Sequence, residues 1–317
     1  MHPDQLTVPS QTVRALIDHQ FPAWRQLPIT AVASQGTVNA VFRIGDHLAA
    51  RFPLRDGEAE TVRRQLATEA DAARELTGRT RFPTPTHVAL GEPGFGYPLP
   101  WSVQTWLPGT SADEDDPAQS TSFAHDLADF IADVRALDTR GRTFRSLARG
   151  GRGGELTAHD DWMETCFKHT EPLLPDLDVN ADLNTRLDIN IARLRQLWTA
   201  FQQLPRGTDA DVMTHGDLIP GNILVARGRL AGVLDVGGLG PADPALDLVG
   251  AWHLLDADPR RVLRGLLECD DLQWQRGKAW AFEQAMGAFW YYRDSNPAMS
   301  RMGRRTLERI IRDEPPG

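Results

Sequence analysis

The 317-residue sequence predicts an α+β chain in two unequal parts, a small β-rich lobe followed by a larger, mostly helical one. Three observations carry this. Short β-prone runs separated by turn material crowd residues 29–107. Long stretches with apolar residues at helical spacing dominate from residue 117 onward. A second group of short β-prone pieces is embedded in that helical part at 212–235. With 41% hydrophobic residues, the chain has enough apolar material for one large domain or two lobes.

Taken in order, Ser10 is the expected N-cap of a helix carrying Val13, Leu16, Ile17 and Phe21. Residues 29–33, 38–44 and 48–52 read as three antiparallel strands, divided by Ser34-Gln35-Gly36 and by Gly45-Asp46. Residues 57–76, rich in Ala, Glu, Arg and Leu, read as a helix closed by Gly78. Residues 88–90 and 101–107 are further strands, and Pro108-Gly109 stops the second. Beyond an acidic run at 113–116, residues 117–137 form an amphipathic helix with Phe123, Leu127, Phe130, Ile131 and Val134 on one face. The Arg- and Gly-rich stretch 149–154 reads as a loop. It lacks both the preceding strand and the Gly-Lys-Ser/Thr ending of a phosphate-binding loop. Helices are expected at 159–174 and 182–204. The pattern is helical again from 244 to 312, with breaks near Pro259, Gly277 and Pro297, and its aromatic residues, Trp274 to Tyr292, read as helix core. The lobes are taken as residues 1–106 and 107–317.

Charge and cysteine content narrow the function. Against 43 Asp+Glu stand 34 Lys+Arg, a net charge of −9 with a pI near 5.5. A sequence-independent nucleic-acid partner would need a basic face to release counterions from phosphates, so none is expected. The only cysteines, Cys166 and Cys269, support neither a disulfide framework nor a Cys-based zinc site. The first thirty residues lack a signal-like apolar core, and no run of about 18 apolar residues occurs. The expectation is a cytoplasmic protein, with no membrane partner, that is a monomer or weak dimer.

The chemistry concentrates in His215-Gly216-Asp217-Leu218-Ile219-Pro220-Gly221-Asn222, then Gly232-Val233-Leu234-Asp235, then Asp243-Pro244-Ala245-Leu246-Asp247. A carboxylate can orient and receive the proton of an attacking hydroxyl, and an Asn with a second carboxylate supplies hard oxygen ligands for Mg²⁺. Each of these residues alone is an ordinary turn former. Turn preference does not account for a second Asp after a hydrophobic strand and an Asp-Pro-x-x-Asp beyond it.

In this string, and in Trp101-Ser102-Val103 with Trp106-Leu107-Pro108-Gly109, the chain resembles the aminoglycoside phosphotransferase family from about Ile29 to Trp290. These are antibiotic and small-molecule kinases with a protein-kinase-like bilobal fold, a small β-rich N-lobe and a larger, mostly helical C-lobe. The resemblance implies a catalytic set of Asp217, Asn222 and Asp235. Asp217 orients the acceptor hydroxyl, while Asn222 and Asp235 bind Mg²⁺. His215 holds the loop, and Asp243 and Asp247 are scaffold carboxylates. Residues 34–39, with Gly36 and Asn39, fall where the family places its nucleotide-covering hairpin. Arg51 stands where the family has a phosphate-binding Lys, and Glu69 is its expected helix partner, with Glu58, Glu60 and Glu75 as competitors. Arg keeps the charge but is longer, with a more rigid fork. Residues 103–106, with Gln104 and Trp106, form the hinge that meets the purine edge.

The function implied is transfer of the γ-phosphoryl of ATP or GTP to a hydroxyl of an antibiotic, with Mg²⁺ as cofactor. The acceptor expected is an aminoglycoside, with a macrolide or nucleoside antibiotic next, and the consequence is resistance by inactivation. The alternatives are a metabolic kinase for choline, homoserine or a sugar, and a nucleotide-sensing pseudokinase-like module. Acids at 113–116, 160–161 and 268–271 are candidates for steering a polycationic acceptor.

Overall fold

The computed structural model describes residues 6–32, 38–145, 151–174 and 189–313. The turn containing Gly36, part of the Arg/Gly stretch and the start of the helix expected from 182 lie outside the described residues. The chain divides into two compact units, Met1–Gly109 with Ala231–Gly237, and Thr110–Leu230 with Gly238–Gly317.

The first unit is built on strands β1 (Ile29–Val32), β2 (Asn39–Ile44), β3 (Leu48–Pro53), β4 (His87–Gly91) and β5 (Trp101–Thr105). They form one antiparallel sheet in the order β1-β2-β3-β5-β4. Register places Phe42 opposite Ala50 and Ala50 opposite Val103, so small and large side chains alternate across neighbouring strands. Phe52 stacks on Trp101 with ring centroids 4.7 Å apart and meets Tyr97 edge-on at 5.3 Å. The Tyr97 hydroxyl donates to the Pro53 carbonyl at 2.8 Å, which satisfies the one polar atom of a buried ring. A Cβ on Gly91 would fall 2.0 Å from the Trp101 ring, so only glycine fits there. Helix α1 (Ser10–Gln20) and helix α2 (Ala59–Leu76) contribute Val13, Leu16, Ile17, Val62 and Leu66 to the same core. Pro9, not Ser10, occupies the cap position of α1, and Ser10 is its first helical residue with no side-chain cap bond. Proline suits a site whose N–H would have no partner in the helix.

In the second unit, β6 (Thr110–Ser111) pairs antiparallel with β8 (Ile223–Ala226), and β7 (Val212–Thr214) pairs with β10 (Gly240–Ala242). Strand β9 (Arg229–Val233) begins in this unit and carries the chain into Ala231–Gly237. The helices are α3 (Thr121–Arg135), α4 (Asp160–Thr170), α5 (Ile191–Phe201), α6 (Val249–Leu254), α7 (Ala257–Leu266), α8 (Asp271–Tyr291) and α9 (Pro297–Asp313). Helix α3 starts four residues later than expected, because the Ser120 hydroxyl caps it by accepting from Phe123 N–H at 3.1 Å. The break expected at Gly277 is absent. Gly277 lies inside α8, where a Cβ would come within 2.5 Å of the Leu248 Cβ, so its role is close approach. The break expected near Pro259 comes at 255–256, between α6 and α7, and Pro259 sits in the first turn of α7, a position proline tolerates. Helix α8 buries Trp274, Trp280, Phe282, Met286 and Phe289. Against it, α9 brings Gly303, whose Cβ would meet the Ala285 carbonyl at 2.7 Å. Among the described residues no helix is long and apolar enough to cross a membrane.

Candidate active site

Each unit holds one group of the residues singled out above. In the first, Arg51 on β3 is largely buried and reaches two carboxylates. Its Nη1 donates to Glu69 Oε2 at 3.2 Å and its Nη2 to Asp235 Oδ1 at 3.2 Å. Among the competing glutamates, Glu58 accepts from Thr61 and Glu60 pairs with Arg63. Burial raises the pKa of the Glu69 carboxyl; the Arg51 charge opposes this and the Asp235 charge adds to it. Asp235 follows β9 with φ of 55°, in the left-handed region that Asp tolerates better than most residues. That backbone turn points the chain into Val236-Gly237. A Cβ on Gly237 would lie 2.6 Å from Glu69 Cγ, so glycine here lets Asp235 and Glu69 approach the same guanidinium.

Gln104 on β5, with Arg51, Glu69, His87 and Gly237, lines a cavity of about 20 Å³, room for one water. Burial, followed by the nearby Arg74 charge, lowers the His87 pKa against the opposing Asp71 charge. Asn39 begins β2 opposite Pro53. Trp106 follows β5, its N–H donating to the His47 carbonyl at 2.7 Å, and the Arg43 guanidinium lies over its ring at 5.2 Å. Gly36 lies outside the described residues.

In the second unit, the loop between β7 and β8 carries His215 to Asn222. Gly216 turns it, with φ of 81°. The Asp247 carboxylate ties it down, accepting from His215 N–H at 2.8 Å and Gly216 N–H at 2.7 Å. His215 is fully buried, and its Nδ1 accepts from Asp217 N–H at 3.3 Å. Asp243 accepts from Arg276 Nε at 2.5 Å and from Ala245 N–H at 2.8 Å, joining the 243–247 turn to α8. The turn Pro220–Asn222 folds the Asn222 side chain back, so that its Nδ2 donates to Asp217 Oδ2 at 2.9 Å and to the Asp217 carbonyl at 3.0 Å. With Nδ2 so committed, Oδ1 is the Asn222 atom that can serve as a hard ligand.

Sequence reasoning missed two neighbours of Asp217. Gln284 on α8 donates from Nε2 to Asp217 Oδ1 at 2.9 Å, and Arg152 Nη1 lies 3.6 Å from the same oxygen. Gln284 sits among core aromatics and gives no sequence signal; Arg152 lies in the Arg/Gly stretch, where only its charge set it apart. Four of the acids expected to steer a cation have partners within the protein. Asp160 accepts from Trp198 Nε1, Asp116 pairs with Arg305, Asp271 pairs with Arg264, and Asp270 caps α8.

Among the described residues, no three His, Cys, Asp or Glu gather in a metal-ligand cluster. Asn222 and Asp235 each offer a hard oxygen donor, the kind Mg²⁺ takes. Mg²⁺ keeps several waters and takes one or two protein oxygens together with substrate phosphates.

A small antiparallel sheet unit with a helix-borne Glu on a strand Arg, and a helical unit with an Asp–Asn loop, define the class as a phosphotransferase of kinase-like fold. A model of the phosphotransferase enzyme family matches residues 29–280, and the chain belongs to that family. A 61-residue stretch, 19% of this chain and 22% of the relative, is 38% identical to an aminoglycoside 3'-phosphotransferase of Escherichia coli. The chain thus spans about a fifth of the length of that curated relative. The fold is similar to that of wild-type aminoglycoside 2'-phosphotransferase-IIIa, solved as its GDP complex, with TM-score 0.66, 18% identity and coverage of 97% of this chain and 100% of that one. It is also similar to apo macrolide 2'-phosphotransferase MphH of Brachybacterium faecium, with TM-score 0.58, 17% identity and coverage of 96% and 99%.

Proposed function

We propose that this protein transfers the γ-phosphoryl of ATP or GTP to a hydroxyl of an antibiotic, inactivating the drug, with Asp217 as the residue that receives the acceptor hydroxyl. The observation that supports this best is the Asp217 carboxylate held from both sides by carboxamide N–H groups, on a loop pinned by Asp247. A carboxylate so fixed can orient a hydroxyl for in-line attack. The acceptor oxygen bonds to the γ-phosphorus as the bond to the β–γ bridging oxygen breaks. The electron pair leaves with the nucleoside diphosphate, and the hydroxyl proton passes to Asp217. Arg51 supplies charge to the phosphate oxygens, and the backbone of Gln104 to Trp106 offers hydrogen bonds to the purine. Asn222 and Asp235 are the residues that would hold Mg²⁺, which when bound neutralises phosphate charge.

Relatives of this fold include proteins solved with kanamycin, gentamicin and streptomycin, which favours an aminoglycoside acceptor. A second reading is favoured by Arg152. A guanidinium 3.6 Å from Asp217 suits an acceptor whose reacting hydroxyl is not flanked by ammonium groups, such as a nucleoside antibiotic. The test is a turnover screen of aminoglycosides, macrolides, nucleoside antibiotics and amino alcohols, each with ATP and with GTP, read by ³¹P NMR of the product. For a polycationic substrate, KM rises steeply between low and physiological ionic strength. A salt-insensitive KM rejects the aminoglycoside acceptor, and turnover of amino alcohols alone rejects the antibiotic reading.

A further inference from the structure

Three helices of the second unit converge behind Asp217. Gln284 on α8 gives its Nε2 to Asp217 Oδ1 at 2.9 Å, and its Oε1 meets His253 Nε2 on α6 at 2.9 Å. The other nitrogen of His253 meets Thr306 Oγ1 on α9 at 2.9 Å. His253 is 3% exposed and Thr306 fully buried, so this is an interior chain of polar groups ending on a carboxylate.

The carboxylate can only accept, which fixes every direction upstream of it. Gln284 must present N–H to Asp217, so its carbonyl faces His253. His253 must then carry its proton on Nε2, leaving Nδ1 to accept from the Thr306 hydroxyl, as a stronger acceptor than the Met302 Sδ 3.8 Å from that hydroxyl. Residues on α6 and α9 that do not touch Asp217 thus complete the only donor order in which the Gln284 carboxamide can face it. A carboxylate oxygen offers two lone pairs. On Oδ1, Gln284 takes one and the Arg152 charge stands beside it, whereas among the described residues Oδ2 is met by Asn222 alone, at 2.9 Å.

We propose that Gln284 is a positioning residue for Asp217, kept in one orientation by His253 and Thr306, and that this arrangement directs the acceptor hydroxyl to Oδ2. The inference rests on the phosphotransferase reading. A carboxamide at 284 holds the carboxylate plane so that one Oδ2 lone pair faces the incoming hydroxyl, and misplacing a reacting group by about 1 Å can cost on the order of 10²-fold in rate.

The experiment measures phosphorylation of kanamycin and of erythromycin in wild type, Gln284→Met and Gln284→Glu, with ATP and GTP. Gln284→Met keeps the volume and removes the donor. Its kcat is expected to fall roughly 10- to 100-fold, with nucleotide KM within about threefold of wild type. Gln284→Glu can donate to Asp217 only while its own carboxyl is protonated. Its activity should approach wild type at low pH and drop as pH rises, a limb absent from the wild-type profile. Gln284→Met with more than half the wild-type kcat, or Gln284→Glu with the wild-type pH profile, overturns the proposal. Independently of any acceptor, ¹⁵N NMR of the imidazoles at neutral pH should show His253 as the Nε2–H tautomer, lost to a mixture in Gln284→Met, which removes the carbonyl facing Nε2. An Nδ1–H tautomer in wild type breaks the chain of donors and overturns the proposal. Failure of wild type to phosphorylate any acceptor, with the Nε2–H tautomer present, counts against the phosphotransferase reading instead.

Discussion

Arg51 Nη2 lies 3.2 Å from Asp235 Oδ1, joining residues 184 positions apart. The same guanidinium holds Glu69, so one planar fork serves a helix carboxylate and a loop carboxylate together. A lysine offers one ammonium on a flexible stem and cannot hold that bridge in a fixed plane. Arg51→Lys should raise the nucleotide KM about fivefold, the loss of roughly 1 kcal/mol of charged hydrogen bonding, discounted for the partial exposure of both partners. Nucleotide titration of the two proteins checks this, and equal affinity would show that one of the two contacts is dispensable.

Gly237 and Glu69 should behave as a coupled pair. A methyl at 237 has no room beside the Glu69 stem and should displace it from Arg51, costing about 1–3 kcal/mol of stability as an overpacked site. Removing the Glu69 side chain frees that space. Gly237→Ala and Glu69→Ala should therefore be non-additive in a double-mutant cycle, the double variant losing less than the sum. Denaturant unfolding measures all four corners, and additivity would contradict the contact.

Asp217→Ala should abolish transfer while leaving nucleotide affinity within a few-fold. A positioned base is typically worth 10²–10⁴-fold, so a variant keeping more than about a tenth of the wild-type rate in single-turnover kinetics removes Asp217 from that role.

Asp235→Ala should act on a different quantity. If Asp235 carries metal, its loss weakens Mg²⁺–nucleotide binding itself, and raised Mg²⁺ partly restores activity. A Mg²⁺ dependence identical to wild type would place the metal elsewhere.

Stability should fall as pH drops through the titration of His253. Burial lowers its pKa from 6.5 to about 4, with the Gln284 bond opposing and the charges of Arg309 and Arg152 reinforcing the shift, and Thr306 completes its surroundings. The unfolded chain binds the proton more readily, so the stabilisation is full above pH 6.5 and is lost as pH falls toward about 4. Over that window wild type should lose on the order of 3 kcal/mol more than His253→Gln, by urea unfolding at stepped pH. His159 has the opposite sign. Burial alone would lower it, but the Glu283 hydrogen bond and charge and the Gly151 carbonyl prevail, and its pKa is raised. Its stabilisation is full below the unfolded value and is lost as pH rises through the raised one, so His159→Gln serves as the opposing control.

The elements legible in the sequence were those whose own residues set the period. Phe42 and Ile44, or Leu127, Phe130, Ile131 and Val134, declare a strand and a helix face without outside help. Strands β6 and β10 were not legible, because Thr110-Ser111 and Gly240-Pro241-Ala242 have no strand pattern and exist through the partners they meet. The same division holds in the site. Asp217, Asn222 and Asp235 stand out by their spacing. Gln284 is one polar residue in a buried aromatic helix, and its relation to Asp217 arises from a tertiary contact across 67 positions. The break expected near Pro259 falls at 255–256, between α6 and α7, whereas the one expected near Gly277 is absent because that glycine's close approach to Leu248 is made from inside α8.

The return of Ala231–Gly237 to the first unit orders the protein's birth. A chain leaving the ribosome exposes residues 1–109 well before the segment bearing Asp235 exists, a delay on the order of ten seconds at ordinary synthesis rates. Throughout that interval Arg51 and Glu69 are present without their third partner. Cutting the gene anywhere between codons 110 and 230 would therefore yield an N-terminal fragment that cannot complete its own charge cluster, and the split halves would have to exchange a seven-residue piece to restore it.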